Sequence, residues 1–156
     1  MSETSVADLK LIIFQLKGKE YAIPVSKVRS IEKVQHITRV PSSSHFVKGV
    51  INLRGVVTPI IDLRSRFGIE EEAYSDSTRV IIVTLEDMEV GLIVDAANDV
   101  LDVQTEAIEP QPEVVGTEEA NYISGVVKVG KRLMILLDLE MVLNPEEVKA
   151  TQGIEG

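Results

Sequence analysis

Apolar residues along this chain fall into short runs rich in Val, Ile and Leu, each closed by a turn signal. The runs Leu9 to Leu16, Tyr21 to Val25, Val47 to Leu53, Val56 to Asp62, Arg79 to Leu85, Val90 to Val94, Tyr122 to Val129 and Leu133 to Leu137 predict strands. Lys17-Gly18-Lys19, Arg54-Gly55, Glu86-Asp87 and Gly130-Lys131 lie between them and are short enough to demand antiparallel hairpins. Helical spacing is confined to Val25, Val28 and Ile31, to Leu63 through Phe67, and to the stretch from Leu139 through Val148. Many short strands with few helices predict a mainly β chain, a small barrel or sandwich.

The pattern repeats. Residues 11–34 align without a gap on residues 80–103, at an offset of 69, with apolar positions matched almost throughout. Phe46 to Arg64 align on Tyr122 to Glu140 at an offset of 76, which matches Gly49 with Gly125 and Asp62-Leu63 with Asp138-Leu139. The connector alone differs, because the second copy is seven residues longer there and rich in Glu and Pro, the mark of a surface loop. The chain is therefore a duplication: a first unit of about 9–68, an acidic link of about 69–78 and a second unit of about 79–149. Residues 1–8 and 150–156 are expected to be flexible ends. The repeat is compatible with strands that stay within their own unit and with strands that cross to the other.

Charge narrows the partners. A net charge of −9 disfavours a nucleic-acid backbone or an anionic membrane surface as the general partner. Residues 1–68 carry 11 basic and 5 acidic side chains and the rest carry 5 and 20, a polarity that fits equally a protein that docks different partners on different faces and two halves that neutralise each other. With no cysteine there is no disulfide, thiolate metal site or cysteine nucleophile. The apolar runs are far short of the roughly 20 residues that span a bilayer, and Met1 to Ser5 lacks the basic and apolar parts of a signal peptide, so the cytoplasm is the expected compartment. Aromatic residues are 4% and Trp is absent, which predicts an aliphatic core.

Catalytic chemistry finds no constellation here. His36 and His45 stand in a connector without an acidic cluster, and Ser42-Ser43-Ser44 lacks the glycines of a nucleophile elbow. Gly18, Gly49, Gly55 and Gly68 are scattered rather than gathered into a phosphate cradle. No catalytic residue, metal site or cofactor is expected.

The repeat acts as an internal control, since residues shared by both copies serve the fold and residues unique to one are free to serve a partner. Gly49 with Gly125 fits a close backbone approach, and Asp62 with Asp138 fits a cap on the helix that follows. By contrast, Asn52-Leu53-Arg54-Gly55 matches Lys128-Val129-Gly130-Lys131, which keeps the turn and loses the Asn and the Arg. Arg54 at a hairpin tip, with Lys48, Arg64 and Arg66 near it in sequence, is either a solubilising turn residue or an interface anchor. The helical turn predicted after Val25 sets Val28 and Ile31 on one side, with Ala97 and Val100 as their counterparts. That side suits core packing or an aliphatic groove between the units.

The stretch Gly49-Val50-Ile51-Asn52-Leu53-Arg54-Gly55-Val56-Val57-Thr58-Pro59-Ile60-Ile61-Asp62-Leu63-Arg64 resembles the signature of the CheW-like chemotaxis adaptor family, and the resemblance extends from about Leu9 to Leu143. It implies two five-stranded β-barrels, SH3-like or OB-like, around a shared hydrophobic core. It also implies a non-catalytic coupler that joins the cytoplasmic hairpin tips of methyl-accepting chemoreceptors to the regulatory domain of the histidine kinase CheA. Such a coupler is cytoplasmic and is recruited to membrane-associated receptor arrays without inserting into the membrane. Carried over by residue, the receptor-coupling arginine falls on Arg54, the functionally sensitive glycine on Gly49 and a groove valine on Val28, with Asn52, Leu53 and Gly55 in the same signature. The receptor tip would lie between the barrels against Val28, Ile31, Val94 and Val100. Where the family often reads Val-x-Glu-Ile, this chain has Val28-Arg29-Ser30-Ile31, so Ser30 replaces the glutamate. A CheW-like scaffold of another kinase system is the alternative, and a small-ligand-binding β-barrel is a weaker one.

Overall fold

The computed structural model describes residues 8–41, 46–110 and 121–143. Eleven strands and two short helices follow in order: β1 (Asp8–Leu16), β2 (Lys19–Pro24), β3 (Val28–Lys33), β4 (Val47–Leu53), β5 (Val56–Asp62), α1 (Leu63–Arg66), β6 (Arg79–Leu85), β7 (Met88–Val94), β8 (Ala96–Gln104), β9 (Ile108–Glu109), β10 (Ile123–Val129), β11 (Arg132–Leu137) and α2 (Leu139–Leu143). Every predicted strand is present. Ser42 to His45, both chain ends and the far part of the predicted last helix lie outside the described residues, as does most of the long connector.

The two sheets do not follow the two repeats. One sheet runs β8-β1-β2-β11-β10-β9 and the other β3-β6-β7-β5-β4. Each unit therefore lends its first hairpin to the sheet that holds the remainder of the other unit. The joints are equivalent parallel pairs, Leu136 beside Ala22 in the first sheet and Ile60 beside Gly91 in the second. The charge contrast between chain halves is consequently not a contrast between barrels. The first sheet has six strands rather than five because β9 adds two residues against β10, where the first copy keeps a single bridge, Thr38 to Val50.

Two strands, β3 and β8, occupy positions where the sequence pattern predicts a helical turn. A 3-10 turn over Val25–Lys27 does form, but Val28 onward is extended. In β3, Val28 lies opposite Val83 and Ser30 opposite Ile82, so Arg29 is an extra residue; in β8, Ala97 lies opposite Phe14 and Asp99 opposite Ile13, so Asn98 is. A two-for-one bulge shifts the in-out alternation by one position. Residues three apart, Val28 with Ile31 and Ala97 with Val100, then share a face, and a bulged strand reproduces the spacing of a helix.

Burial sorts into three cores. Leu11, Ile13, Ala22, Val103, Val127, Met134 and Leu136 fill the first barrel. Ile51, Leu53, Ile60, Val80, Ile82 and Ile93 fill the second. Both small cores are aliphatic, as composition predicts. The largest core lies between the sheets and draws on both, from Phe14, Tyr21 and Ile23 to Ile61, Ile81, Leu92 and Val94, closed by Leu139, Val142 and Leu143 of α2. Here the few aromatics are concentrated: Phe14, Tyr21, Phe67 and Tyr122 form a run of rings with successive centroids 5.8, 5.8 and 5.4 Å apart. Arg66 caps the run, its guanidinium 4.9 Å from the Tyr122 ring centroid and 4.1 Å from that of Phe46.

The shared aspartates and glycines have the roles expected of the fold. The Asp62 side chain accepts from the Arg64 backbone N–H, and Asp138 Oδ1 accepts from Glu140 and Met141, so each caps its helix. A Cβ on Gly49 would lie 2.2 Å from the Thr38 carbonyl oxygen, and one on Gly125 would lie 2.8 Å from that of Glu109. In both copies the connector backbone passes directly over the glycine.

Candidate functional site

The β4–β5 hairpin carries the signature residues. Arg54 and Gly55 both have positive φ, 53° and 85°, the left-handed pair that a two-residue hairpin requires. Asn52 supports that conformation, because its Oδ1 accepts the Gly55 N–H at 2.9 Å. The counterpart hairpin in copy two lacks the asparagine, so the signal for this turn support lay in the comparison of repeats. Leu53 points into the second barrel and is buried there. Arg54 is the charged residue among the exposed signature positions Asn52 and 54–57, with its side chain 70% exposed, and its Nη2 lies 3.1 Å from Glu32 Oε2 on β3. Glu32 is held below the ordinary glutamate range, first by the nearby Ser30 hydroxyl, against partial burial, and then by Arg54. Ser30 Oγ itself is buried and makes no contact with hydrogen-bond geometry.

The basic residues near Arg54 in sequence do not join it. Lys48 pairs with Glu71 at 2.7 Å. Arg64 is buried against Asp95, and Arg66 donates to the Val142 and Met141 carbonyls beside the rings it caps. The basic residue that does stand near Arg54 is Arg29 of β3, which shares a cleft with it.

The aliphatic positions divide by depth. Val28 is partly buried and packs on the shared core, as its counterpart Ala97 does. Ile31 and its counterpart Val100 are exposed, at 39% and 52%, each on an edge strand and on the face turned toward that core. Val94 is 0% exposed inside it, so it underlies this surface and does not line it. The expected contact of a partner with Val94 is corrected accordingly: β7 is flanked on both sides, by β6 and β5, and its inward side chains have no access to solvent. Gly49 is likewise interior, holding the connector.

A cleft of about 540 Å³ opens next to Arg54, lined by Val28, Arg29, Ser30, Leu53, Arg54, Val56, Ile82 and Glu89. Glu89 escapes a reading by motif, and only its repeat counterpart, Glu20, marks it. Arg29 Nε lies 3.3 Å from Glu89 Oε2. Among the described residues no group of three or more His, Asp and Glu is placed to hold a metal ion. None of the described helices is long and apolar enough to cross a membrane.

The family model for the CheW-like domain matches residues 10–147. The chain belongs to the CheW-like domain family. Among its relatives, "Chemotaxis protein CheW" of Bacillus subtilis is 50% identical over 137 residues, 88% of each chain. "Chemotaxis protein CheW" of Klebsiella aerogenes is 38% identical over 145 residues, 93% of this chain and 87% of that one. Among solved structures, that of the scaffolding protein TtCheW from Thermoanaerobacter tengcongensis superposes with a TM-score of 0.82 at 33% identity, covering 90% of this chain and 97% of the other. The CheW-like fold thus accounts for both sheets and their shared core, and the family is one of chemotaxis scaffolds.

Proposed function

We propose that this chain is a non-catalytic chemotaxis adaptor that couples the cytoplasmic hairpin tips of methyl-accepting receptors to the regulatory domain of the histidine kinase CheA. In this role it is a cytoplasmic protein recruited to receptor arrays. The observation that carries the reading is Arg54: exposed, set on a rigid left-handed turn, unique to one copy of the repeat, and separate from the neighbouring basic residues that are bound elsewhere. Val28, Ile31 and Val100 add an aliphatic border along the edges of the two sheets, where the receptor tip would pack with Arg54 as its polar anchor. The adaptor contributes geometry and binding energy: two partners held on one rigid body let a receptor signal alter kinase activity. A small-ligand barrel is disfavoured because both barrel interiors are filled by their own side chains.

Calorimetric titration against the isolated regulatory domain of a CheA from the same cell tests the reading, with kinase autophosphorylation followed with and without receptor. Saturable binding and receptor-dependent activation are expected. Absence of both assigns the chain to another signalling system.

A further inference from the structure

The repeat predicts what the cleft beside Arg54 is shaped to receive. In the first barrel the equivalent place is occupied by a side chain of the protein itself. Arg132 lies across it, donating from Nε to Glu20 Oε1 at 3.1 Å and from Nη2 to Glu20 Oε2 and Asp99 Oδ2, both at 2.9 Å. The repeat offsets carry Glu20 onto Glu89, Asp99 onto Ser30 and Arg132 onto Val56. The bulges of β3 and β8 are equivalent as well, so the backbone around the two places is the same. The second barrel therefore keeps the carboxylate and a polar group but has Val56 where the first has Arg132, and Glu89 is met only by Arg29, which approaches at 3.3 Å. The cleft of about 540 Å³ opens at this place. Leu53, Val56 and Ile82 give this cleft an apolar wall. Ser30 lines the cavity, with its hydroxyl turned in beside Glu32.

We infer that this cleft receives an arginine side chain from the protein partner, which takes the position that Arg132 holds in the first barrel. Its guanidinium pairs with Glu89 in the two-pronged geometry that suits a carboxylate, and its stem lies on the apolar wall. Arg29, which holds Glu89 by one 3.3 Å contact and is 68% exposed, swings away to solvent. Such an exposed pair contributes little, so the exchange costs little. Because the cleft shares Val28 and Arg54 with the receptor-coupling surface, the partner is assigned as the receptor tip, an assignment that rests on the function proposed above.

N-methylguanidinium is the probe, titrated into the full chain and followed by amide and methyl NMR. Saturable shifts in the millimolar range are expected at Ser30, Leu53, Ile82 and Glu89. They should be lost in Glu89→Gln and in the double variant Ser30→Asp with Val56→Arg, which rebuilds the first barrel's network inside the second. Shifts confined to other acidic surfaces, or unchanged in Glu89→Gln, overturn the site. The double variant should also bind a soluble cytoplasmic receptor fragment at least about tenfold more weakly, since its cleft is already filled. Should it fail to fold, Glu89→Gln supplies the same comparison by removing charge alone. Full receptor binding by a filled cleft overturns the arginine assignment and leaves the adaptor reading intact. Loss of probe binding with no receptor binding by the unaltered chain marks the reverse case, a real site in a protein with another partner.

Discussion

Arg64 and Asp95 clamp the two barrels together. Arg64, at the start of α1 in the second barrel, donates from Nε to Asp95 Oδ1 at 2.9 Å and from Nη2 to Asp95 Oδ2 at 2.6 Å. Asp95 stands where the chain crosses from β7 to β8, and its Oδ2 also accepts the backbone N–H of Lys17 at the tip of the β1–β2 hairpin. Its own N–H donates to Gln15 of the same hairpin. One carboxylate thus joins both sheets at a crossing between them. The repeat counterparts are Glu140 and Ser26, so this clamp exists on one side of the molecule only.

The clamp predicts an acid-labile component of stability. Arg64, ahead of the Lys17 N–H and against partial burial, holds the Asp95 carboxyl below the ordinary aspartate range. A group whose pKa falls on folding contributes stability above its unfolded value, about 3.9, and loses it as pH drops through the folded value. Burial raises Asp62, which acts in the opposite sense and is better tolerated when protonated. Urea midpoints measured from pH 7 to pH 3 should fall below about pH 4. Asp95→Asn should flatten that fall and lower the midpoint at pH 7.

Gly49→Ala should be among the most damaging single-methyl changes in the chain. The added carbon would meet the Thr38 carbonyl at 2.2 Å with φ at +149°, so both contact and backbone resist it. A loss of about 2–4 kcal/mol by chemical denaturation is expected. Gly125→Ala, where the approach is 2.8 Å, should cost less.

Arg54→Glu should weaken receptor coupling while shifting stability by no more than about 0.5 kcal/mol. Arg54→Gly is the cleaner variant, because glycine accepts the positive φ and removes only the side chain. Coupling assays and thermal melts on both variants check this; full coupling by both returns Arg54 to a solubilising role.

Depth separates Ile31 from Val94. Ile31→Asp should fold and bind receptor poorly, since this residue is already 39% exposed. Val94→Asp should not fold, because it places a carboxylate in the shared core. A cooperative circular-dichroism melt for the first and none for the second are the expected outcomes.

The strands, hairpins, helix caps and duplication were legible because each follows from local rules: alternation, turn chemistry, and the matching of one half with the other. The exposed turn position of Arg54 was legible for the same reason, as a difference between repeats. Two things were misread locally. The bulges at Arg29 and Asn98 put Val28 with Ile31, and Ala97 with Val100, on one face at the spacing of a helix. Nearness in sequence also gave no guide to Lys48, Arg64 and Arg66, which lie within 12 positions of Arg54 but are held by Glu71, Asp95 and the ring of Phe46.

What the sequence determined by itself is the inventory: β units in duplicate, no cysteine chemistry, an aliphatic pair of barrel cores, one unmatched hairpin arginine. Tertiary structure alone decided how those units combine. Parallel pairing of β2 with β11 and of β7 with β5 joins residues over 100 positions apart in one case and about 30 in the other. No local pattern encodes such a choice, because the same alternating strand satisfies its hydrogen bonds equally well beside either neighbour. The exchange is selected by the burial it allows, a third core built from both sheets, and that core sets Val94 inside, Ile31 and Val100 at its border, and an unfilled cleft beside Arg54.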